Sequence, residues 1–402
     1  MNLDEAKALE QAHLLSLYPP IRMPMVVARG EGARLWDTEG KEYLDFVSGG
    51  RAVTGVGHCH PRVVAAIREQ AGRLLHVSND FYTEVQLRLA QALSQLVGGR
   101  CFLCNSGTEA NEAAIKLARK HAFRTVGPEK AEIVSALRSF HGRTIGALAA
   151  TGQPKYHRGF QPLPPGFVHV PFNEAAALRD AVGKQTCAIL LEPVLGESGV
   201  YPATEEYLET ARELCDRFGA LLVLDEVQTG LGRTGRMFAY QHYQVEPDVV
   251  TLAKGLGGGV PIGAMIAREP CASSFGPGDH ASTFGGSPLP AAAALATLEA
   301  IAEEDLVGNA ARVGARLAQG LEALQAKSGR VKEVRARGLM IAVDLVEPRA
   351  ARVKQECARR GLLINTVGED MLRLLPPLVL TPEQADQGLA LLEAGLETAW
   401  SA

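Results

Sequence analysis

Leu221-Leu222-Val223-Leu224-Asp225-Glu226 and Asp248-Val249-Val250-Thr251-Leu252-Ala253-Lys254-Gly255 decide the fold. Each holds a short apolar run that does not alternate with polar residues and ends abruptly at a charge. A strand of this kind is covered on both faces, which is the condition of a parallel sheet with helices on either side. Cys101–Cys104, Ile133–Leu137, Val168–Val170 and Ala188–Leu191 repeat the pattern upstream, and Gly263–Ala267 closes it. Longer amphipathic stretches, such as 108–121, come between. This β–α alternation predicts an α/β fold with a mostly parallel central sheet.

The flanks read differently. Residues 5–17 predict a helix stopped at Tyr18-Pro19-Pro20. Arg34–Asp37 and Glu42–Phe46 alternate around Glu39-Gly40 and predict a hairpin. Pro61 opens a helix whose apolar face carries Val63, Val64, Ile67 and Leu74. An alanine-rich helix near Pro288–Ala300 leads out of the sheet region. The last hundred residues then read as helix, strand pair (Val334–Gly338, Met340–Leu345), helix (Ala351–Arg360), strand (Leu362–Ile364) and a helix from Pro382. The expected division is 1–60, an N-terminal segment joining a small domain; 61–290, a large domain; and 291–402, a small α+β domain. No internal repeat or low-complexity linker separates them.

Composition removes several classes of function. The 402 residues carry 41 Lys plus Arg against 45 Asp plus Glu, a net charge of −4, so nothing favours a nucleic acid or an anionic membrane surface. No apolar run reaches the roughly 18 residues of a membrane helix. Met1–Glu5 lacks a basic and then apolar leader, so no secretory signal is expected. Seven dilute cysteines suit reduced thiols and a cytoplasmic protein. Glycine is in excess at 42, without a Gly-X-Y period, so the backbone must turn tightly or approach something closely.

The motifs carry alternatives when taken singly. Asn105-Ser106-Gly107-Thr108-Glu109-Ala110 follows a strand and opens a helix, which suits a phosphate or an ordinary connection. Asp225 at a strand end can hold a cationic ring nitrogen, coordinate magnesium or cap a turn. The magnesium option needs a P-loop, and neither Gly40-Lys41-Glu42 nor Gly183-Lys184-Gln185 supplies one. Gly230-Leu231-Gly232-Arg233-Thr234-Gly235 matches the dinucleotide fingerprint literally, but Asp225–Thr229 intervene after the strand and no acid follows at the right distance. A nicotinamide oxidoreductase is accordingly disfavoured. Lys254 is either a solvated lysine or, if desolvated, a nucleophile toward carbonyls. Phe140 can stack on a ring or pack a core, and Arg143 can clamp a carboxylate or form a salt bridge. Glu192 and Glu197 end another strand, and Arg373 stands alone before Pro376-Pro377. Cys101 and Cys104, three apart on a strand, point to opposite faces and cannot share a metal well, and His58-Cys59-His60 reads as a turn, so no metal site is expected.

Together, a phosphate turn, a ring-stacking Phe, a strand-end Asp and a strand-end Lys are the parts needed for pyridoxal 5′-phosphate, whose aldehyde forms an imine with a lysine and whose protonated ring accepts carbanion electrons. At this point the chain resembles the class III (fold type I) aminotransferases, nearest the acetylornithine aminotransferases. The likeness spans essentially the whole length. It rests on Trp36-Asp37, Gly57–Pro61, Asn105–Lys120, Ser139–Gly146, Ala150–Tyr156, Asp225–Gly235, Leu252–Gly263, Thr283–Gly286 and Arg373–Pro377.

The resemblance implies a role for each matched residue. Lys254 is the imine-forming lysine and proton shuttle, and Asp225 pairs with the pyridinium. Phe140 and Val227 cover the two ring faces, Gln228 lies near the ring hydroxyl, and Ser106, Gly107 and Thr108 hold the phosphate. Thr283 reaches the phosphate of a neighbouring subunit and Ser282 its substrate, which implies a homodimer with shared sites. Arg143 binds a substrate carboxylate, and Arg373 binds the α-carboxylate of glutamate or 2-oxoglutarate. Glu197 neutralises Arg373 when an ω-amine donor is bound.

The sequence also departs from the family. Gly50 stands where ornithine aminotransferases carry an aromatic, leaving room for an acylated amine. Arg51 replaces a usual apolar residue, Leu195 a glutamine, Ser198 a small glycine or alanine, and Ser287 an asparagine. The expected reaction is N-acetylornithine plus 2-oxoglutarate giving N-acetylglutamate 5-semialdehyde plus glutamate. GABA, ornithine and acyl-lysine (aminoadipate-semialdehyde type) aminotransferases, and an aminomutase on the same cofactor, are the alternatives within reach. A non-catalytic binding protein is disfavoured because every chemical group is present.

Overall fold

The computed structural model describes residues 1–18 and 22–401. Its central sheet has seven strands: β1 (Arg100–Cys104), β2 (Glu132–Ala136), β3 (Phe167–Val170), β4 (Thr186–Leu191), β5 (Leu221–Asp225), β6 (Val249–Leu252) and β7 (Gly263–Ala267). They lie side by side as β1-β7-β6-β5-β4-β2-β3. The neighbours among β2 to β6 pair in parallel. β7 is antiparallel to both β6 and β1. The α/β architecture expected from the apolar runs is the one found, with one reversed strand.

Alternation along the strands divides the core in two. Leu222 and Leu224 join Val250 and Leu252 on one side of the sheet. Leu221 and Val223 join Val249 and the helix Gly107–Thr125, through Ala113, Ala114 and Leu117, on the other. With both faces buried, a polar side chain finds a place only as a strand ends. Asp225, two residues after Val223, and Thr251, two after Val249, therefore face that helix.

Two helices, Pro288–Glu303 and Leu306–Ser328, carry the chain to a second sheet of four antiparallel strands. Its order is Val331–Arg337, Met340–Leu345, Met371–Leu374, Asn365–Val367. The hairpin Arg34–Asp37 with Glu42–Asp45 forms as expected. Leu362–Leu363 adds to it in parallel, so the two ends of the chain share a sheet.

Some boundaries differ from expectation. The first helix spans Leu3–His13, set by a capping box between Asn2 and Glu5, and it ends where Leu14 turns extended. Pro19 and Pro20, the expected stop, lie outside the described residues. In Pro61–Arg73, Val63 is buried and Val64 and Ile67 are half-buried, but Leu74 has left the helix and is exposed. Gly230, Gly232 and Gly235 occupy turns and open no helix. A Cβ on Gly235 would lie 3.1 Å from that of Ala311, and one on Gly232 3.3 Å from Val307, so this run packs against the helix Leu306–Ser328. Among the described residues, no helix is long and apolar enough to cross a membrane.

The same helix passes so close to the turn between Val331–Arg337 and Met340–Leu345 that a Cβ on Gly314 would sit 2.3 Å from the Gly338 carbonyl oxygen. Gly314→Ala is therefore expected to lose about 1–3 kcal/mol of stability, although alanine is the better helix former. Thermal or urea denaturation of the two proteins checks this.

Candidate active site

The carboxyl ends of β1, β2, β4, β5 and β6 open on one edge of the sheet, where ligands of open α/β folds bind. The loops leaving these ends line a cavity of about 370 Å³. Asn105–Thr108 comes from β1, Phe140–Arg143 from β2, Glu192 and Glu197 from β4, Asp225 with Val227 and Gln228 from β5, and Lys254 from β6. Residues scattered over some 150 positions thus converge through strand direction alone.

The turn after β1 is built tightly. Ser106 caps the 19-residue helix Gly107–Thr125, its Oγ accepting from the Glu109 amide at 3.3 Å. Glu109 in return accepts from the Asn105 amide at 2.8 Å. A Cβ on Gly107 would lie 2.8 Å from Val227 Cγ1, and one on Gly142 2.1 Å from Thr108 Oγ1. Gly142 also has φ +143°, a conformation that favours glycine. Two of the excess glycines are thus required at this point by contact. The helix dipole makes the turn positive.

Asp225 is held from three sides. Asn111 Nδ2 donates to Oδ2 at 2.7 Å, His141 Nδ1 lies 2.8 Å from the same oxygen, and the Val227 amide donates to Oδ1 at 3.0 Å. Asn111 is itself fixed, donating to the His141 carbonyl at 2.8 Å and accepting from Thr251 Oγ1 at 2.8 Å. Lys254 is enclosed by the cavity, with φ +35°. Burial holds its pKa below the ordinary lysine value, aided by Arg373 and opposed by Glu197, Asp225 and Glu192. A lysine so placed loses its proton readily. Burial, with help from Asp225 and against His141, raises Glu192 to about 7. The Glu192 carboxylate accepts from the Phe140 amide at 2.8 Å and the Gly196 amide at 3.2 Å, fixing the loops after β2 and β4 to each other.

Two guanidinium groups stand in contrasting settings. Arg143 is exposed, its guanidinium 4.0 Å from the Tyr156 ring centroid, and it forms no ion pair among the described residues. Arg373, on the strand Met371–Leu374, is only 2% exposed and pairs with Glu197 at 3.1 Å. Gln228 Nε2 donates to the same Glu197 oxygen at 3.0 Å, and Arg51 pairs with the other. Burial would raise Glu197, but Arg373, Lys254, Arg51 and the Gln228 bond outweigh it and hold the group at about 2.

Most of the residues expected from sequence meet here. Ser282 reaches the rim, accepting at Oγ from Asn105 Nδ2 at 3.1 Å. Thr283 does not line this cavity and is exposed. Its chain neighbour Phe284 is exposed, as are Phe81 and Tyr82, and Asn79, two residues before Phe81, ties the two segments together by donating to the Ser282 and Gly285 carbonyls. Sequence reasoning missed Asn111, Thr251 and the place of His141. The available signal for Asn111 was a lone amide on a helix face otherwise made of Ala110, Ala113 and Ala114. Nothing local marked Arg51 as a partner of Glu197, which lies 146 residues away.

Comparison with known proteins agrees with this geometry. Residues 19–396 match the family described as aminotransferase class-III. The chain is 49% identical over 385 residues to the acetylornithine aminotransferase of Caldanaerobacter subterraneus subsp. tengcongensis, covering 96% of this chain and 97% of that one. Among solved structures it resembles the ornithine aminotransferase of Toxoplasma gondii, seen with partial occupancy of PLP at its active site (TM-score 0.94, 34% identity, 99% and 95% of the two chains). It also resembles the acetylornithine aminotransferase of Elizabethkingia anophelis (TM-score 0.88, 34% identity, 99% and 100%). With strand ends, lysine, aspartate and arginines arranged as described, the chain belongs to the class-III aminotransferases.

Proposed function

We propose that this chain is a pyridoxal 5′-phosphate-dependent ω-aminotransferase that transfers the amino group of N-acetylornithine to 2-oxoglutarate in a ping-pong cycle. The observation that carries the proposal is one cavity that joins an enclosed lysine of lowered pKa to an aspartate held by three hydrogen bonds. A glycine-lined helix N-terminus and two arginines complete the arrangement.

The residues fit the cofactor. Ser106, Gly107 and Thr108 offer a positive turn for its phosphate, in a cradle that a side chain at 107 or 142 would fill. Phe140 and Val227 supply apolar surface for a ring. Gln228 Oε1 and His141 Nε2 are buried without a partner among the described residues, so both can receive a polar neighbour. When bound, pyridoxal 5′-phosphate supplies an aldehyde that takes up and returns the amino group and a ring that accepts the electron pair left on the substrate carbon.

The chain's own residues do the rest. Asp225, held in place by Asn111 and His141, would pair with the positive charge of the ring nitrogen. Lys254 Nζ takes a proton from the amine-bearing carbon of the substrate and later returns one. Arg143, without a competing acid, binds the carboxylate of the ω-amine donor. Arg373 binds the α-carboxylate of glutamate or 2-oxoglutarate once Glu197 has moved aside. A Cβ on Gly50 would meet nothing within 4 Å, which supports room for an acylated amine.

The proposal includes a cytoplasmic homodimer. The seven unpaired cysteines support a reducing compartment. Tyr82, 92% exposed, with the exposed Phe81 and Phe284 on two segments tied together by Asn79, leaves aromatic surface open, as expected if a second copy covers it and receives Thr283 at its own phosphate site. It also keeps the division into segments 1–60, 61–290 and 291–402, supported by the parallel pairing of Leu362–Leu363 with Glu42–Asp45.

A donor panel with 2-oxoglutarate tests the substrate. N-acetylornithine is expected to give the highest kcat/KM, and a clear preference for ornithine, GABA or an acyl-lysine derivative would move the assignment within the family. Lys254→Ala should lower kcat by about 10⁴-fold, the upper range for a positioned acid–base group, while unaltered turnover would refute the mechanism. Asn111→Leu removes the hydrogen bonds to Asp225, Thr251 and the His141 carbonyl. It should lower stability by about 2–3 kcal/mol in cofactor-free protein and weaken cofactor retention, read by thermal denaturation and by absorbance after dialysis.

A further inference from the structure

Glu197 divides its two oxygens between two cations that differ in kind. Oε1 receives Arg373 Nη1 at 3.1 Å and Gln228 Nε2 at 3.0 Å, and Oε2 receives Arg51 Nη1. Arg373 is fixed: it is buried, and it also donates to the Gly196 carbonyl at 2.7 Å. The Arg51 side chain is 50% exposed, against 12% for Glu197. Its backbone is nonetheless anchored. Asp45 accepts from the amides of Val47 and Gly49 at 2.8 Å each, and Asn365 donates to the Gly50 carbonyl. Gly49 and Gly50, at φ +68° and +109°, shape the turn that brings residue 51 to the site.

The cluster holds two guanidinium charges and one carboxylate, so it carries one cation in excess, and a substrate carboxylate would complete it. If that carboxylate takes Arg373, Glu197 must let go of it. In a pocket with a single arginine, the displaced Glu197 would be a largely buried carboxylate with no guanidinium partner, left to the Gln228 amide and the neighbouring Lys254, a costly state. Here the bond from Arg51 to Oε2 survives when Oε1 is released.

We propose that Arg51 is a specificity-determining residue, a second seat for Glu197 that keeps this carboxylate paired while Arg373 receives the α-carboxylate of a dicarboxylate substrate. The proposal rests on the assignment of Arg373 to the acceptor made above. Its consequence is a bias: Arg51 favours the state that binds glutamate or 2-oxoglutarate over the state that binds the ω-amine donor.

The test compares holoenzymes of the native sequence, Arg51→Ile and Arg51→Lys. In Arg51→Ile the ratio of the KM for 2-oxoglutarate to the KM for the donor should rise about two- to fivefold, the scale of a half-exposed ion pair. Arg51→Lys should restore part of it, and the melting temperature should stay within the scatter of the native protein. Glutarate, a dicarboxylate that cannot react, should bind Arg51→Ile more weakly by the same factor in calorimetry. An unchanged ratio overturns the proposal. So does a rise confined to the donor KM, which would make Arg51 a direct ligand of the donor, or a parallel fall in both half-reactions with a lower melting temperature. If no donor is turned over by the native protein, the reaction assigned above fails, and glutarate binding still decides the role of Arg51.

Discussion

A carboxylate buried at the end of a parallel strand must have its oxygens supplied with hydrogen-bond donors. Asp225 is in that position, and the surrounding structure answers the requirement. The strand alternation that buries Leu221 and Val223 aims Asp225 at the helix Gly107–Thr125. That helix meets it with the one amide on its inner face, Asn111. Thr251 and the His141 carbonyl then fix the amide's orientation. The ends of two strands, the helix and the loop after β2 are thereby locked to one another around one carboxylate. The same helix that delivers Asn111 begins at the Ser106–Thr108 turn, so its position sets the positive turn and the anionic anchor at once.

Close packing converts this into precision of placement. Gly107 against Val227 and Gly142 against Thr108 leave no space for a side chain. The loops after β1, β2 and β5 therefore cannot slide past one another. Lys254 stands among Glu197, Asp225 and Glu192 on one hand and Arg373 on the other, and desolvation prevails over the acids in setting its proton affinity. A lysine in water would stay charged. The fold thus changes the chemistry of the amine by enclosure.

How much of this the sequence disclosed follows from the range over which each signal acts. Asp225 and Lys254 were legible because a charge that ends an aliphatic run stands out within six or eight residues. The sheet was legible for the same reason. Asn111 was not, since one polar residue on an alanine-rich helix looks like a solvated position until its partner on another strand is known. The Arg51–Glu197–Arg373 cluster joins three distant segments and leaves no local pattern. The resemblance to a family assigned Glu197 to Arg373, but the Arg51 contact belongs to this chain's own departure from that family. Leu74 fell outside its helix because periodicity indicates a face and not where the chain leaves it. The dinucleotide-like glycines misled for a related reason: spacing alone does not say whether a glycine faces a ligand or a neighbouring helix, and Gly232 and Gly235 face Val307 and Ala311.

The reversed strand β7 has a temporal meaning. β1 borders only β7, so the turn at Ser106–Thr108 has no place in the sheet until Gly263–Ala267 has been synthesised. From that moment the residues of this chain's own cavity that would grip its cofactor, from Ser106–Thr108 to Lys254, are present on the nascent chain, whereas Thr283 and Arg373 have still to emerge. Because folding follows synthesis from the N-terminus, the part of the pocket that performs chemistry is made before the buried arginine assigned to the acceptor's α-carboxylate. The completed C-terminal sheet then brings Arg373 to Glu197 and, through Asn365, fixes the Gly50 turn that carries Arg51, so the three-residue cluster closes as the last act of assembly.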